Sequence, residues 1–350
     1  MKYLRPIFSL IVLSAFLLAK AQYKAVILPT SDGYGQAFHA GGGQITGIDF
    51  NLGNILWNGP NYDQFVRLRT TGYSAAQIWD TDGGRQVGYG NTSGTTHALL
   101  WSGPGSPVVD LHLDGYRSTG CFGTDGISQV GYGARFENTP RAKLWRGTPE
   151  SAVDLNPAGV TNSEAYDCWG DYQVGNIELN IPVMWSGTAA SMRRLPMPGG
   201  INSGGTAHAI YGDQIVGTGG GYACLWSAST LQLTILGEEA APVDTNGIFQ
   251  VGSSGLIGEQ RATRWSGKPG SLFDLHRFLP DFRESFATGI NEDGTIAGWG
   301  WDADNNARAI AWVPVPEPGT LAALGAGLLF LVSRRRAAKN KPKDSAGEQP

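Results

Sequence analysis

The sequence predicts an all-β protein built from seven copies of one unit, because two sequence markers recur together along the chain. The first marker is a tryptophan that ends an apolar stretch, as in Leu100-Trp101-Ser102-Gly103. The steps between successive marker tryptophans are 44, 44, 40, 41, 39 and 47 residues. A period near ~40 residues that persists through a chain is typical of repeat architectures. The marker tryptophans are Trp57, Trp101, Trp145, Trp185, Trp226, Trp265 and Trp312.

The second marker is a Gln-Val-Gly segment or a close variant, and it keeps the same phase as the tryptophans. An Asp-Gly or Asn-Gly pair often precedes it, as Asp82-Gly83 precedes Gln86-Val87-Gly88. Such pairs favour the positive φ values of hairpin turns. The chain also holds 51 glycines, which suits short strands joined by tight turns. The marker copies begin at Gln44, Gln86, Gln129, Gln173, Ile215, Gln250 and Ile296.

One unit contains four short apolar segments bounded by turn residues. In the second unit they are 75–79, 85–89, 97–101 and 108–111. Four strands in one period match a β-propeller blade, which spans roughly 40–45 residues. The repeated tryptophan is expected to fill the gap between neighbouring blades, where a large ring buries the most area.

The last unit ends at Trp312-Val313 without a fourth segment, while Ala25-Val26-Ile27-Leu28 belongs to no unit. We therefore predict a closed seven-bladed β-propeller over residues 22–314, in which the N-terminal strand completes the last blade. Closure would remove an exposed sheet edge. An open solenoid of β repeats is the alternative, because periodicity alone does not establish closure.

The first 21 residues have the pattern of a signal peptide. Lys2 and Arg5 precede an apolar run over residues 7–18, and Ala19-Lys20-Ala21 has the small-x-small pattern of a cleavage site. The run is shorter than the roughly 20 residues that a membrane-spanning helix needs. We expect cleavage after Ala21 and export of the remainder.

The C-terminal end combines three parts in a fixed order. Pro316-Glu317-Pro318 comes first, an uncharged run over 320–333 follows, and Arg334-Arg335-Arg336 closes it. The sequence predicts a transmembrane helix over about residues 319–333, with the arginines and the polar tail 338–350 on the cytoplasmic side.

These parts resemble the PEP-CTERM sorting signal over residues 315–337. The resemblance implies a transient hold in the inner membrane of a Gram-negative bacterium that exports polysaccharide. It also implies an exosortase-type enzyme as partner, which removes the tail before delivery to the cell surface or extracellular matrix.

The internal units resemble HAF-type extracellular repeats. The matching residues are His97-Ala98-Leu99-Leu100-Trp101 and the turn Ile290-Asn291-Glu292-Asp293-Gly294. This resemblance covers most of residues 25–313 and supports the fold, since those repeats have no general assigned activity.

Composition and spacing give little sign of chemistry. The net charge of −4 gives no indication of the basic surface that nucleic-acid binding requires. No Cys/His spacing indicates a metal site, and no cofactor is expected. A bridge between Cys121 and Cys168 is conceivable, because both precede the second marker in neighbouring units; Cys224 is the third cysteine.

The sequence shows no catalytic constellation, so we expect a protein without enzymatic activity. Four of the five histidines occupy positions shared between units, and His39 lacks a partner nearby in the sequence. The carboxylates Asp110, Asp154 and Asp274 also recur in register. Shared positions are expected to be framework.

The candidate ligand-binding residues are those that break the repeat, Trp301, Asp302 and Asp304. An aromatic ring beside carboxylates can stack on a sugar and accept hydrogen bonds from its hydroxyls. A loop anchor is the simpler interpretation. The predicted function is non-catalytic binding or scaffolding, and the PEP-CTERM resemblance implies extracellular polysaccharide as the partner. The alternative is a carbohydrate-active hydrolase or lyase, which should gather non-repeated acidic or histidine residues at one mouth of the channel.

Overall fold

The computed structural model describes residues 22–135, 139–178, 180–200 and 203–315. The predicted signal peptide with Ala19 and Ala21, the Pro316-Glu317-Pro318 motif, the helix over 319–333 and Arg334-Arg335-Arg336 all lie outside these residues. None of the helices in the described ranges is both long and apolar enough to span a bilayer. Residues Tyr23–Val313 form one compact unit.

The regular structure of the described residues is β-strand, apart from short 3-10 helices at Pro149–Ser151, Ala189–Ser191 and His276–Phe278. In chain order the strands are β1 (Gln22–Ile27), β2 (Gly35–Gly41), β3 (Gln44–Asp49), β4 (Gly53–Asn58), β5 (Phe65–Arg67), β6 (Ser74–Thr81), β7 (Gln86–Asn91), β8 (Thr96–Trp101), β9 (Val109–Asp110), β10 (Ser118–Thr124), β11 (Gln129–Ala134), β12 (Pro140–Trp145), β13 (Val153–Asp154), β14 (Ser163–Trp169), β15 (Tyr172–Ile177), β16 (Ile181–Trp185), β17 (Arg193–Arg194), β18 (Gly205–Tyr211), β19 (Gln214–Gly219), β20 (Tyr222–Ser227), β21 (Leu233–Glu238), β22 (Ala240–Thr245), β23 (Gln250–Ser254), β24 (Arg261–Trp265), β25 (Phe273–Asp274), β26 (Phe282–Ile290), β27 (Ile296–Asp302) and β28 (Ala307–Val315).

These strands form antiparallel sheets of four, which we number 1 to 7 along the chain. Sheets 1 to 6 are the successive groups of four that begin at β2, β6, β10, β14, β18 and β22. Sheets 2 and 3 are joined into one eight-stranded sheet by a single parallel pair, Thr96 with Ser118. The units therefore follow the four-strand pattern that the sequence predicts.

Sheet 7 draws its strands from both parts of the chain, in the order β1-β28-β27-β26. The pairing continues past β1, where the amide of Leu28 donates to the carbonyl of Ala309 at 2.9 Å. The N-terminal strand thus occupies the position of the fourth strand that the last unit lacks, as predicted, and it covers the edge of β28.

The marker tryptophans form the core between neighbouring sheets. All seven side chains are fully buried. Trp185 of sheet 4 packs with Leu144 of sheet 3, and Trp57 of sheet 1 packs with Ala309 of sheet 7. The indole N–H of Trp57 also donates to the carbonyl of Pro29 at 2.7 Å. The prediction that these rings are packing residues is confirmed.

The two sequence markers keep one phase because their residues are hydrogen-bonded. The side-chain oxygen of Gln129 accepts from the amide of Gly147 at 2.7 Å, and Gln129 lies opposite Trp145 in the ladder. The same bond joins Gln86 to Gly103, Gln173 to Gly187 and Gln250 to Gly267. A buried glutamine oxygen needs such a donor, and the donor residues Gly103, Gly147, Gly187 and Gly267 all have positive φ, which favours glycine at this place.

Candidate functional site

The first strand of every sheet carries a β-bulge at the same place. One extra residue is inserted opposite a single partner on the second strand, and such an insertion re-aims the side chains around it. The bulged side chains are all half-buried. They are Phe38, Trp79, Phe122, Tyr166, His208, Val243 and Thr288.

All seven bulged residues line one cavity of about 290 Å³, which we call the central pocket. Five of them carry rings, and neighbouring rings lie within contact distance around the wall. The ring centroids of Phe38 and Trp79 are 5.7 Å apart, and those of Phe122 and Tyr166 are 5.5 Å apart. Tyr166 and His208 continue the series at 6.3 Å. The central pocket is therefore walled mainly by aromatic side chains.

The residue after each bulge alternates between a carboxylate and a small residue from sheet 2 to sheet 7. Sheets 2, 4 and 6 carry an aspartate, sheets 3, 5 and 7 carry glycine or alanine, and sheet 1 carries a histidine. In sheet order the residues are His39, Asp80, Gly123, Asp167, Ala209, Asp244 and Gly289.

His39 lies between two of these carboxylates. Its Nδ1 is 2.6 Å from Oδ1 of Asp80, and its Nε2 is 3.1 Å from Oδ2 of Asp244. The contact at Nδ1 is an ion pair without hydrogen-bond alignment. Burial lowers the pKa of His39, but the two carboxylates outweigh it and hold that pKa well above its ordinary value.

Gly289 leaves room for the His39 ring on the neighbouring sheet. A Cβ at position 289 would lie 2.8 Å from Cα of His39 and 2.9 Å from its Cδ2. The small residue after the bulge of sheet 7 is therefore needed where that sheet packs against His39 of sheet 1.

Each aspartate ties its own sheet to the next one through two backbone amides. Asp80 accepts from the amides of Thr81 and Thr124, each at 2.7 Å. Asp167 accepts from Cys168 at 2.7 Å and from Ile210 at 2.8 Å. Asp244 repeats the arrangement with Thr245 and Ile290, each at 2.7 Å.

Asp167 differs from the other two aspartates because it has no ion pair of its own. Burial raises its pKa well above the ordinary value, and the negative charge of Asp80 adds to the effect. The amide of Ile210 and the charge of His39 offset only part of this rise. The cluster thus contains three carboxyl groups and one ion-pairing imidazole, and Asp167 is the carboxyl group that has no cationic partner.

Two nitrogen-bearing side chains of the pocket wall lack hydrogen bonds among the described residues. Nε1 of Trp79 is buried without a partner. His208 makes a ring contact with Tyr166, and burial lowers its pKa to about 4, so its imidazole is neutral at physiological pH. Buried polar groups normally have partners, so an unpaired nitrogen at the pocket wall can serve a ligand; unpaired indole nitrogens also occur in the framework, at Trp145, Trp185 and Trp265.

The structure places the sequence-predicted residues Trp301 and Asp302 at the end of β27, with Asp304 in the turn that follows. Trp301 packs edge-on against Trp299 at 5.5 Å. Asp302 accepts from the amide of Asn306 at 2.8 Å and from Nε of Arg308 at 2.8 Å. Trp301 and Asp302 are half-buried and Asp304 is exposed, so ligand binding by these residues stays a prediction.

His112 and His276 take up a repeated framework position, whereas His97 on β8 and His208 at the bulge of β18 are not equivalent, contrary to the sequence prediction. Nδ1 of His112 lies 3.0 Å from Oγ1 of Thr119, and Nδ1 of His276 lies 2.8 Å from Oγ of Ser285. Each hydroxyl in turn accepts an amide of the preceding sheet. His97 lies 2.7 Å from Asp110.

Cys121, Cys168 and Cys224 are free buried thiols, so the conceivable bridge between the first two is not formed. Among the described residues, no group of three or more His, Cys, Asp or Glu side chains could hold a metal ion.

Sequence reasoning missed the central cluster and saw no gathering of acidic and histidine residues. His39 has its partners 41 and 205 residues further along the chain, at Asp80 and Asp244. A signal was present, however. Asp80, Asp167 and Asp244 each lie six residues ahead of the glutamine of the second marker.

Comparison with solved structures shows a propeller-like fold. The chain is similar to the β-propeller domain of the Trilobed protease from Pyrococcus furiosus, with 10% identity, a TM-score of 0.52, and coverage of 80% of this chain and 93% of that one. It is also similar to an oligogalacturonate lyase in complex with manganese, with 11% identity, a TM-score of 0.51, and coverage of 87% and 96%. At these identities the likeness shows the fold alone.

A third similar structure is TolB from Acinetobacter baumannii, with 13% identity, a TM-score of 0.46 and coverage of 71% of this chain. The chain spans 64% of that protein's length.

Residues 314–336 match the PEP-CTERM protein-sorting motif. The motif implies an exported protein that is held transiently in the membrane by its C-terminal tail and processed by an exosortase. No curated protein matches the chain.

Proposed function

We propose that the protein is an exported, closed seven-bladed β-propeller that binds a sugar unit of extracellular polysaccharide in the central pocket without cleaving it. Its PEP-CTERM tail would hold it in the inner membrane of a Gram-negative bacterium before delivery to the cell surface or matrix. We also propose that its units are HAF-type repeats.

Contacts between the first and last sheets support closure of the ring. Trp57 of sheet 1 shares a core with Ala297 and Ala309 of sheet 7. The hydroxyl of Thr288 donates to the carbonyl of Ala37 at 3.0 Å. An open solenoid would leave these surfaces apart.

The aromatic wall of the central pocket is the observation that carries the binding proposal. Sugar rings pack their C–H faces on aromatic side chains, while their hydroxyls need hydrogen-bond partners. Trp79 supplies an indole N–H without a partner, and His208 supplies a neutral imidazole. A cavity of about 290 Å³ lies at the small end of the roughly 300–1,000 Å³ range of ligand pockets, so it suits one sugar residue.

The bonding of the carboxylates supports a non-catalytic role. Glycoside hydrolysis needs one carboxyl group that donates a proton and a second that is free to act as base or nucleophile. Here one oxygen of each of Asp80, Asp167 and Asp244 accepts the amide of the following residue, and the other oxygen accepts an amide of the next sheet.

One observation favours the alternative, a carbohydrate-active hydrolase or lyase. The raised pKa of Asp167, caused by burial and by nearby Asp80, would keep its proton available for donation to a leaving group. An enzyme of this kind is therefore the second candidate.

Retention and cleavage assays separate these candidates. The full chain is incubated with the extracellular polysaccharide of its host, and both bound polysaccharide and released reducing ends are measured. We expect retention without new reducing ends, and at least tenfold weaker retention for Trp79→Ala. Trp301→Ala is the matched control, and it also tests the sequence-predicted residues. Cleavage that Asp167→Asn abolishes would support the enzyme; neither retention nor cleavage would reject both candidates.

The sorting proposal has its own test. Pro316→Ala combined with Glu317→Ala should block tail removal and leave the protein in the membrane fraction. Unchanged processing and surface delivery would reject exosortase recognition of this motif.

A further inference from the structure

We propose that the central pocket selects a protonated amine on a sugar, such as the ammonium group of a de-N-acetylated amino sugar. The ammonium group would lie against the carboxylates of Asp80, Asp167 and Asp244, and the ring would lie against the aromatic wall. This inference rests on the proposed function and names the class of sugar.

The charge of the pocket lining favours a cation. Three carboxylates face a single ion-pairing imidazole, His39, and the residues that line the pocket include neither lysine nor arginine. His208 adds no charge, and the hydroxyl of Tyr166 donates to Glu164 at 2.6 Å. The described groups that face the cluster therefore leave a negative excess.

The aromatic wall favours an organic cation over a metal ion. Metal binding needs several ligand side chains converging on one point, and no such group exists among the described residues. Ammonium groups, in contrast, are attracted to the faces of aromatic rings such as Trp79, Phe122 and Tyr166. Oδ2 of Asp80, Oδ1 of Asp244 and both oxygens of Asp167 each accept a single backbone amide, so each keeps a second lone pair that can accept an ammonium N–H.

Two side chains outside the acidic cluster indicate that the ligand carries hydroxyl groups as well. Nε1 of Trp79 is a buried donor without an acceptor, and the half-buried His208 has no hydrogen bond in the described structure. A simple alkylamine would leave both unpaired, whereas a sugar would pair them. The combination of carboxylates, rings and unpaired nitrogens thus fits an amino sugar better than a neutral sugar or a plain amine.

The inference predicts that binding is linked to proton release. In the free pocket Asp167 relieves the negative excess by holding a proton, because burial and Asp80 raise its pKa. A bound ammonium group would take over that role and favour the ionised carboxylate. Affinity should therefore increase with pH across the raised pKa of Asp167, for as long as the ligand amine stays protonated.

Titration calorimetry on the full chain tests the selectivity. The probes are glucosamine oligosaccharides at a pH where their amines are protonated, the N-acetylated oligosaccharides of equal length, and neutral glucose oligosaccharides. We expect at least tenfold tighter binding of the glucosamine series, and loss of that preference in Asp167→Asn. The exposed Asp63→Asn variant is the control for a general change in charge. Because Asp167→Asn also disturbs the bond to Ile210, a second measurement uses the unaltered chain. Titrations in buffers of different ionisation enthalpy should show proton release with glucosamine oligosaccharides only.

The outcomes distinguish this inference from the proposed function. Equal or tighter binding of the N-acetylated or neutral series would overturn the amine selectivity and leave polysaccharide binding intact. Binding of none of the probes, together with no retention of the host polysaccharide, would overturn both.

Discussion

Replacing His39 by glutamine should destabilise the protein by an amount that depends on pH. The variant keeps a polar side chain of similar length but removes the positive charge between Asp80 and Asp244. Those two carboxylate side chains are only 8% exposed, whereas the His39 side chain is 25% exposed. The variant would leave these two carboxyl groups in a poorly solvated place without the imidazole between them.

The expected magnitude follows from the two ion-pair distances. At an effective dielectric constant of about 20, separations of 2.6 and 3.1 Å correspond to attractions of roughly 5–6 kcal/mol each. The cost of desolvating the imidazolium offsets much of this attraction. Breaking a buried pair from one side typically costs about 3–5 kcal/mol, and we expect the free energy of unfolding to fall by that amount.

The sign of the pH dependence follows from the raised pKa of His39. The folded state holds this proton more tightly than the unfolded state, whose histidine has a pKa near ~6.5. The stabilisation is therefore complete below that value and is lost as the pH rises through the folded pKa. The difference between the unaltered protein and His39→Gln should be greatest near pH 6 and should shrink at alkaline pH.

Urea unfolding followed by tryptophan fluorescence at several pH values measures this difference. His208→Gln is the matched control, because His208 lines the same pocket but has no carboxylate partner. The folded pKa of His208, about 4, lies below the unfolded value of about 6.5, so the unaltered protein should lose stability relative to His208→Gln as the pH falls below about 6.5, and the difference should be constant above about pH 7. A loss below about 1 kcal/mol for His39→Gln, or a loss that does not change with pH, would refute the reasoning.

Three further predictions concern the framework. Trp145→Ala should lower the free energy of unfolding by about 3–5 kcal/mol, because it empties a fully buried site; Trp301→Ala, at a half-buried position, should cost clearly less in the same denaturation assay. Removal of residues 22–27 should expose the edge of β28 and cause concentration-dependent aggregation in light scattering; a soluble, equally stable product would contradict the role assigned to β1. The three cysteines should not react with a thiol reagent in the folded protein, because burial raises their pKa values and blocks access, and all three should react in denaturant; fewer than three titratable thiols after denaturation would indicate a disulfide.

The strands could be predicted from the sequence because each unit repeats the same local pattern. The second unit was expected at 75–79, 85–89, 97–101 and 108–111, and its strands are Ser74–Thr81, Gln86–Asn91, Thr96–Trp101 and Val109–Asp110. The unassigned N-terminal strand could be placed by counting, because only the last unit lacked a fourth strand. The alternation of apolar residues, the turn residues and the repeat period all favour the same arrangement of strands.

The central cluster could not be predicted, because it depends on a change of register inside the first strands. A bulge does not require a particular residue type, because the bulged residues here include Phe38, His208 and Thr288. Without the bulge, alternation would assign Asp80 and its counterparts to the wrong face. Asp80, Asp167 and Asp244 lie at a constant distance from the glutamine marker, which indicates a framework role. The contacts of His39 with Asp80 and Asp244 form only when sheets distant in the sequence come together.

The alternation of aspartate and small residues has a consequence for how such a protein can be lengthened. Each aspartate bonds forward to one partner sheet, so the bonds join sheets 2 to 3, 4 to 5 and 6 to 7. An odd number of sheets cannot be divided into such couples, and sheet 1 is left over with His39. Insertion of one extra unit would leave an aspartate facing another aspartate-bearing sheet, or a small residue without a partner. Insertion of a couple would keep every aspartate next to a sheet with a small residue, so changes in length should be tolerated better in steps of two units than in single units.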